Sequence, residues 1–167
     1  MFVRIATLFL TAALTTQPIA AFAQSETGLA ERRAISAYQK DKWPAIEKDI
    51  QTAAGFPVPI ELDIKSLALP GYADSYSSDD YILKPIVKPL IKALGVVAAD
   101  DLGRQALKEK LKGIRITFDE ATAPSSNYSS GLTFDNGLLV VNWKPFSNAD
   151  EFDPRVEALT KALESKL

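Results

Sequence analysis

The sequence predicts an α+β fold, a two-layer sandwich. About four strands form a mostly antiparallel sheet, a three-strand meander plus one further strand, with helices packed on one face. Three observations lead there. VPIELDIK (58–65) and the run from Ile114 to Asp119 alternate apolar and polar residues, the pattern of strands with one buried and one wet face. LTFDNGLLVVNW (132–143) holds Asn136-Gly137 between two apolar runs, the strongest short hairpin signal, because a type I′ turn needs positive φ at both central residues. Helical patterns with apolar stripes stand before, between and after these strands.

The first 23 residues read as a cleaved signal peptide. Arg4 supplies a basic start, Ile5 to Leu14 a short apolar run, and Ala21-Phe22-Ala23 a small-x-small cleavage site before Gln24. The polar break at Thr15 to Pro18 argues against a membrane span. The absence of cysteine rules out a lipidated N-terminal cysteine. The expected product is a periplasmic chain, residues 24–167, forming one α+β domain.

From Leu29, the residues Ile35, Tyr38, Ile46 and Ile50 recur at near-helical spacing up to Gly55. Pro44 predicts a break, with Asp41 capping a second helix. In the strand that follows, Val58, Ile60, Leu62 and Ile64 face the core. Leu83, Ile86, Val87, Leu90, Ile91 and Leu94 then form a helical stripe, with Lys84, Lys88 and Lys92 on the solvent side. Pro85 and Pro89 predict a distorted first turn after the Ser78-Asp79-Asp80 cluster, since an interior proline costs about 3 kcal/mol. A further helix runs from about Asp101 to Lys112. The hairpin register sets Phe134 opposite Leu139 and Leu132 opposite Val141. The last helix is expected from Asp153, with Pro154 in its first turn and Val156, Leu159, Leu163 and Leu167 buried.

Composition excludes several chemistries. The chain has no cysteine and no histidine, which removes thiol nucleophiles, thiolate and imidazole metal sites and the Ser-His-Asp triad. Of 19 lysines and arginines only Arg4 lies in the leader, so the mature chain carries 18 bases against 21 acids, a charge of −3 with no basic run. Nucleic acid is therefore not an expected partner. Tyr38 and Lys42 match a Tyr-x-x-x-Lys spacing, but no glycine-rich βα turn accompanies them. No cofactor is implied.

Two loops stand out. GYADSYSSDDY (71–81) and APSSNYSSG (123–131) combine rigid aromatic surface with adaptable polar groups, the composition of binding loops. Four of the five tyrosines lie in or beside them. The candidate site is a binding rim of Tyr72, Asp74, Tyr76, Asp79, Asp80, Tyr81, Asn127 and Tyr128, with the Tyr76 and Tyr128 side chains outside the core. Parallel pairing of the 58–65 and 114–119 strands would bring both loops to one sheet edge. The 144–152 connection returns to that edge. Its acids would then be Asp74, Asp79, Asp80, Asp119, Glu120, Asp150, Glu151 and Asp153, with Lys144 as the only base.

The expected function is non-catalytic binding of another macromolecule, a protein partner in the envelope, as an inhibitor, immunity-type or envelope accessory protein. The alternative is a carboxylate-based enzyme or small-ligand binder for a sugar or a cation, using pairs such as Asp79-Asp80 or Asp119-Glu120. Asn148, Asp150 and Asp153 have a faint calcium-loop spacing. They lack the central glycine and closing glutamate, and so read as helix caps.

Overall fold

A computed structural model describes residues 28–167; the expected leader and its cleavage site lie outside them. Helix α1 (Leu29–Ala37) runs through a π-helical turn, Tyr38–Lys42, into α2 (Trp43–Ala54). The break expected at Pro44 is therefore a widened turn. The Trp43 N–H bonds Tyr38 O, five residues back, and Asp41 caps nothing. Proline lacks the N–H that an α-helix would use and its ring crowds the carbonyl four residues back; one wide turn relieves both conflicts.

Strand β1 (Ile60–Leu62) is shorter than the alternating stretch. Asp63 ends it: the backbone turns and its Oδ1 accepts from Ser66 N at 3.3 Å, starting the short helix α3 (Ile64–Leu67). Val58 and Ile64 are nonetheless both buried, as the alternation predicts. A π-helix (Asp79–Val87), with Ser78 Oγ accepting from Asp80 N, leads into α4 (Lys88–Val97). Helix α5 (Asp101–Lys110) starts on an Asp100 cap that accepts from Gly103 N at 2.8 Å. Strand β2 (Gly113–Thr117), the hairpin β3 (Leu132–Asp135) and β4 (Leu138–Asn142), and helix α6 (Phe152–Glu164) complete the order.

The sheet order is β1-β2-β4-β3, with β1, β2 and β4 mutually parallel and only β3 antiparallel to β4. This corrects the expected meander and the mostly antiparallel sheet. The long connection after β2 carries the chain past the place beside β2, so β3 becomes the edge and β4 takes the inner position. The hairpin itself is as read: Asn136 and Gly137 have φ of 52° and 84°. Phe134 pairs with Leu139 and Leu132 with Val141. One sheet face is buried through Ile114, Ile116, Phe134, Leu139 and Val141. On the other, Arg115 reaches its β1 partner Glu61 at 2.7 Å.

The apolar stripes fall where periodicity put them. Ile50, Ile86, Val87, Leu90, Leu94, Leu159 and Leu163 are fully buried. Lys84, Lys88 and Lys92 are exposed. Among the described residues no helix is long and apolar enough to cross a membrane.

Candidate functional site

Because β1, β2 and β4 run parallel, their carboxyl ends share one edge of the sheet. Three connections gather there, 63–78, 118–127 and 143–151. What ties them together begins with the two prolines of the 79–97 helical stretch. In an α-helix, the carbonyl of Tyr81 would accept from residue 85 and that of Pro85 from residue 89. Both donors are missing, because residues 85 and 89 are prolines. The third connection and the helix that follows it supply substitutes. The Phe146 N–H donates to Tyr81 O at 2.7 Å, and Arg155 Nη1 donates to Pro85 O.

Arg155 was missed by sequence reasoning, which counted Lys144 as the only base at this edge. It stands in the first turn of α6, only 2% exposed. Its Nη2 donates to Ser147 O at 2.7 Å and to the Tyr128 hydroxyl at 3.2 Å. The guanidinium carbon lies 4.4 Å from the Tyr128 ring centroid and 5.5 Å from that of Trp143. Two cation–π contacts and three hydrogen bonds thus hold a charge that would otherwise be costly to bury. The Tyr128 hydroxyl donates to Glu151 and accepts from Asn148 Nδ2 at 3.3 Å, while Trp143 Nε1 donates to Tyr128 O at 3.0 Å. Gly131 allows the close approach here: a Cβ on it would stand 2.5 Å from Asn142 O and 2.8 Å from Trp143 Cδ1.

These contacts correct the placement of three rim tyrosines. Tyr76, Tyr81 and Tyr128 are 1%, 0% and 5% exposed, so their side chains belong to the core and not to a surface. The Tyr81 hydroxyl donates to Leu67 O and accepts from Leu69 N, both at 2.9 Å; that of Tyr76 donates to Leu69 O at 2.8 Å. Burial pushes the pKa of both above the ordinary tyrosine value. Large aromatic side chains with a polar tip can close the edge of a core while satisfying loop backbone, and that is their work here.

The remaining rim candidates are on the surface. Tyr72 is 42% exposed, and Asp74, Asp79 and Asn127 are exposed. Asp80 is half-buried and pairs with Lys84 at 2.5 Å, which raises the lysine's pKa. Beside Tyr72 stands a residue no pattern flagged. Phe146 is 49% exposed, with its ring centroid 5.7 Å from that of Tyr72 and 5.9 Å from that of Tyr81. Its φ is 53°, a left-handed conformation that is a genuine outlier for a bulky residue. The bond to Tyr81 O and the packing against buried Tyr81 hold it there.

No protein-family model, no curated protein and no solved structure matches this chain.

Among the other acids at this edge, Asp119 and Glu151 have structural occupations, Glu151 as the acceptor of the Tyr128 hydroxyl. Asp119 closes its own loop, accepting from Ala121 N at 3.1 Å and Thr122 Oγ1 at 2.9 Å. Asn148, with φ of 47°, ties Ser125 O to Tyr128, and α6 begins at Phe152 without a side-chain cap, so the helix-cap expectation for 148–153 is corrected. Among the described residues no group of three or more acids could hold a metal ion. A separate cleft of about 160 Å³ opens where the 38–42 turn meets the start of the 79–87 helix. At its wall Tyr38 is 3% exposed, and its hydroxyl has no hydrogen-bond partner. Burial, with the nearby Asp79 carboxylate, pushes its pKa up to about 12.

Proposed function

We propose that the protein is exported through its leader to the periplasm and binds another macromolecule, without catalysis, at the carboxyl edge of its sheet. The partner in this reading is an envelope protein, and the chain acts as an inhibitor, immunity-type or accessory factor. The observation that carries it is the exposed Tyr72–Phe146 pair. Two aromatic rings sit half in solvent on a base of buried tyrosines, and one is held in a strained backbone conformation. Strain of this kind costs on the order of 1–3 kcal/mol and persists where the surroundings over-determine it, most often at functional positions. Rigid aromatic anchors with acids around them suit an interface whose charges steer a cationic partner.

Export predicts a mature N-terminus at or near Gln24, read by N-terminal sequencing of protein from its native host; a retained Met1 would sink the compartment. Binding predicts that protein captured from envelope extract by the wild type is lost or weakened with Tyr72→Ala and Phe146→Ala, by about 2 kcal/mol for each anchor. Asp79→Asn with Asp80→Asn should chiefly slow association and flatten its salt dependence. The melting temperature of Tyr72→Ala should stay within about 1 °C of wild type, since partly exposed side chains contribute little to stability. Unchanged affinity in the Tyr72→Ala/Phe146→Ala double variant refutes the rim.

A further inference from the structure

Strand β3 is the outer edge of the sheet, and among the described residues no other strand pairs with its far side. Register decides which backbone groups face that side. The Gly113 N–H bonds Gly137 O, so Gly137, Leu139 and Val141 turn their backbone groups to β2. Leu138 and Val140 therefore serve β3, bonding Asp135 and Thr133 across the hairpin. Phe134 between them points its N–H and C=O outward, although its side chain is only 6% exposed. Leu132 points its C=O the same way, while its N–H is taken by Ser129 O. These groups border a groove of about 370 Å³ between β3 and α6, lined by Leu132, Phe134, Ala158 and Ala162. An unpaired strand edge beside a groove is the geometry of strand addition. Main-chain bonds there give affinity, and alternate side chains of the added strand enter the groove.

The charges along the groove select its occupant. Lys161 and Lys166 line it, Lys110 lines the adjoining hollow at the hairpin turn, and Lys112 packs against Gly137 of that turn. Against these lysines stand Asp135, 3.6 Å from Lys166, and Glu157, 2.6 Å from Lys161. Both pairs are exposed, so each is worth little and a partner's carboxylates can replace the acids. A second copy pairing through β3 would set one row of lysines against another, and like charges across an interface repel. The lysines thus guard the edge against self-association and favour a partner of opposite charge. We infer that the β3 edge takes an extended acidic segment of a partner protein as a fifth strand. The segment exchanges hydrogen bonds with Phe134 and donates one to Leu132 O. Its apolar side chains lie on Ala158 and Ala162, and its carboxylates pair with Lys161 and Lys166. The site shares no residue with the Tyr72–Phe146 pair and stands whether or not that rim binds.

A fluorescein-labelled heptapeptide of alternating glutamate and valine, titrated into the purified protein at low salt, tests this by anisotropy and hydrogen exchange. Binding in the micromolar to millimolar range is expected, weakened about tenfold by Lys161→Gln with Lys166→Gln. The Phe134 amide should exchange fast in the free protein and about tenfold more slowly with peptide bound. The Thr133 and Asp135 amides, already bonded to β4, should stay slow throughout. A fully N-methylated peptide keeps its charges but has no backbone donor, and should not bind. The Tyr72→Ala/Phe146→Ala variant should bind the peptide as wild type does; a loss there would put the peptide on the rim and overturn the edge. No binding at millimolar peptide, or equal binding of the N-methylated form or of a lysine–valine heptapeptide, overturns the proposal. So does a Phe134 amide that is protected in the free protein and loosens on dilution, since a second copy would then fill the edge.

Discussion

Arg155→Ala is expected to lower the free energy of unfolding by about 4 kcal/mol, since three hydrogen bonds from a buried charge vanish, each worth about 1.5–3 kcal/mol before relaxation. The loss falls hardest on the Pro85 carbonyl. Its α-helical donor would be residue 89, which is a proline, so the ordinary helical N–H cannot take over from the guanidinium. Tyr128 suffers less, because its hydroxyl keeps Glu151 and Asn148. Arg155→Met isolates the polar part. It retains an apolar stem between Tyr128 and Trp143, and should lose about half as much, on the order of 2 kcal/mol. Urea unfolding at constant slope reads both values. Hydrogen exchange at the Phe146 amide should also accelerate in Arg155→Ala, because the side chain of α6 that bridges Ser147 O to Pro85 O is gone and the 143–151 connection keeps only the Phe146 bond to Tyr81 O. Wild-type midpoints for both variants would mean that Pro85 O has another donor and that Arg155 is not what gathers this edge.

Much of this was legible in the residues, and the parts that were not have identifiable causes. Local rules held in the main: the Asn136-Gly137 turn and its register are where turn chemistry put them, and the apolar stripes face the core, although Ile60, Leu62, Val156 and Leu167 are only partly buried. Neighbour order in the sheet failed, because alternation fixes which face a strand buries and says nothing about which strand lies beside it. β2 and β4 have the same pattern in either arrangement. The rim was misjudged for a different reason. Serine and aspartate made the 71–81 loop look wet, yet a tyrosine can sit fully in the core while its hydroxyl serves loop backbone, as Tyr76 and Tyr81 do. Two signals for Arg155 were present. It lies four residues before Leu159 on the buried stripe of α6, and the Pro85–Pro89 spacing leaves two carbonyls without their α-helical donors. Nothing in the sequence marks Phe146 as left-handed; that conformation follows from tertiary contacts alone.

Tyr81→Ala should destabilise the protein by about 3–5 kcal/mol, the range for truncating a fully buried aromatic, and Tyr81→Phe by only about 1–2 kcal/mol. The ring accounts for most of the difference. It is 0% exposed and packs 5.0 Å from the Tyr76 centroid and 5.9 Å from that of Phe146, so its removal empties the base on which the exposed pair stands. The hydroxyl accounts for less, because Leu69 N keeps a second acceptor, Leu67 O, at 3.0 Å when Tyr81 Oη is gone. Alkaline pH supplies an independent check with a defined sign. Burial raises the Tyr81 pKa above its ordinary value, so the unfolded chain releases this proton first and stability falls as pH rises above about 10. Tyr81→Phe removes that contribution and should flatten the alkaline loss, while Tyr72→Ala, on an exposed ring, should leave it unchanged. Thermal and urea unfolding at pH 7 and pH 10.5 measure all four quantities. Should Tyr81→Ala and Tyr72→Ala show equally small losses, the 71–81 segment is a solvated connector. The Tyr72–Phe146 pair would then lack the rigid support that makes it an anchor.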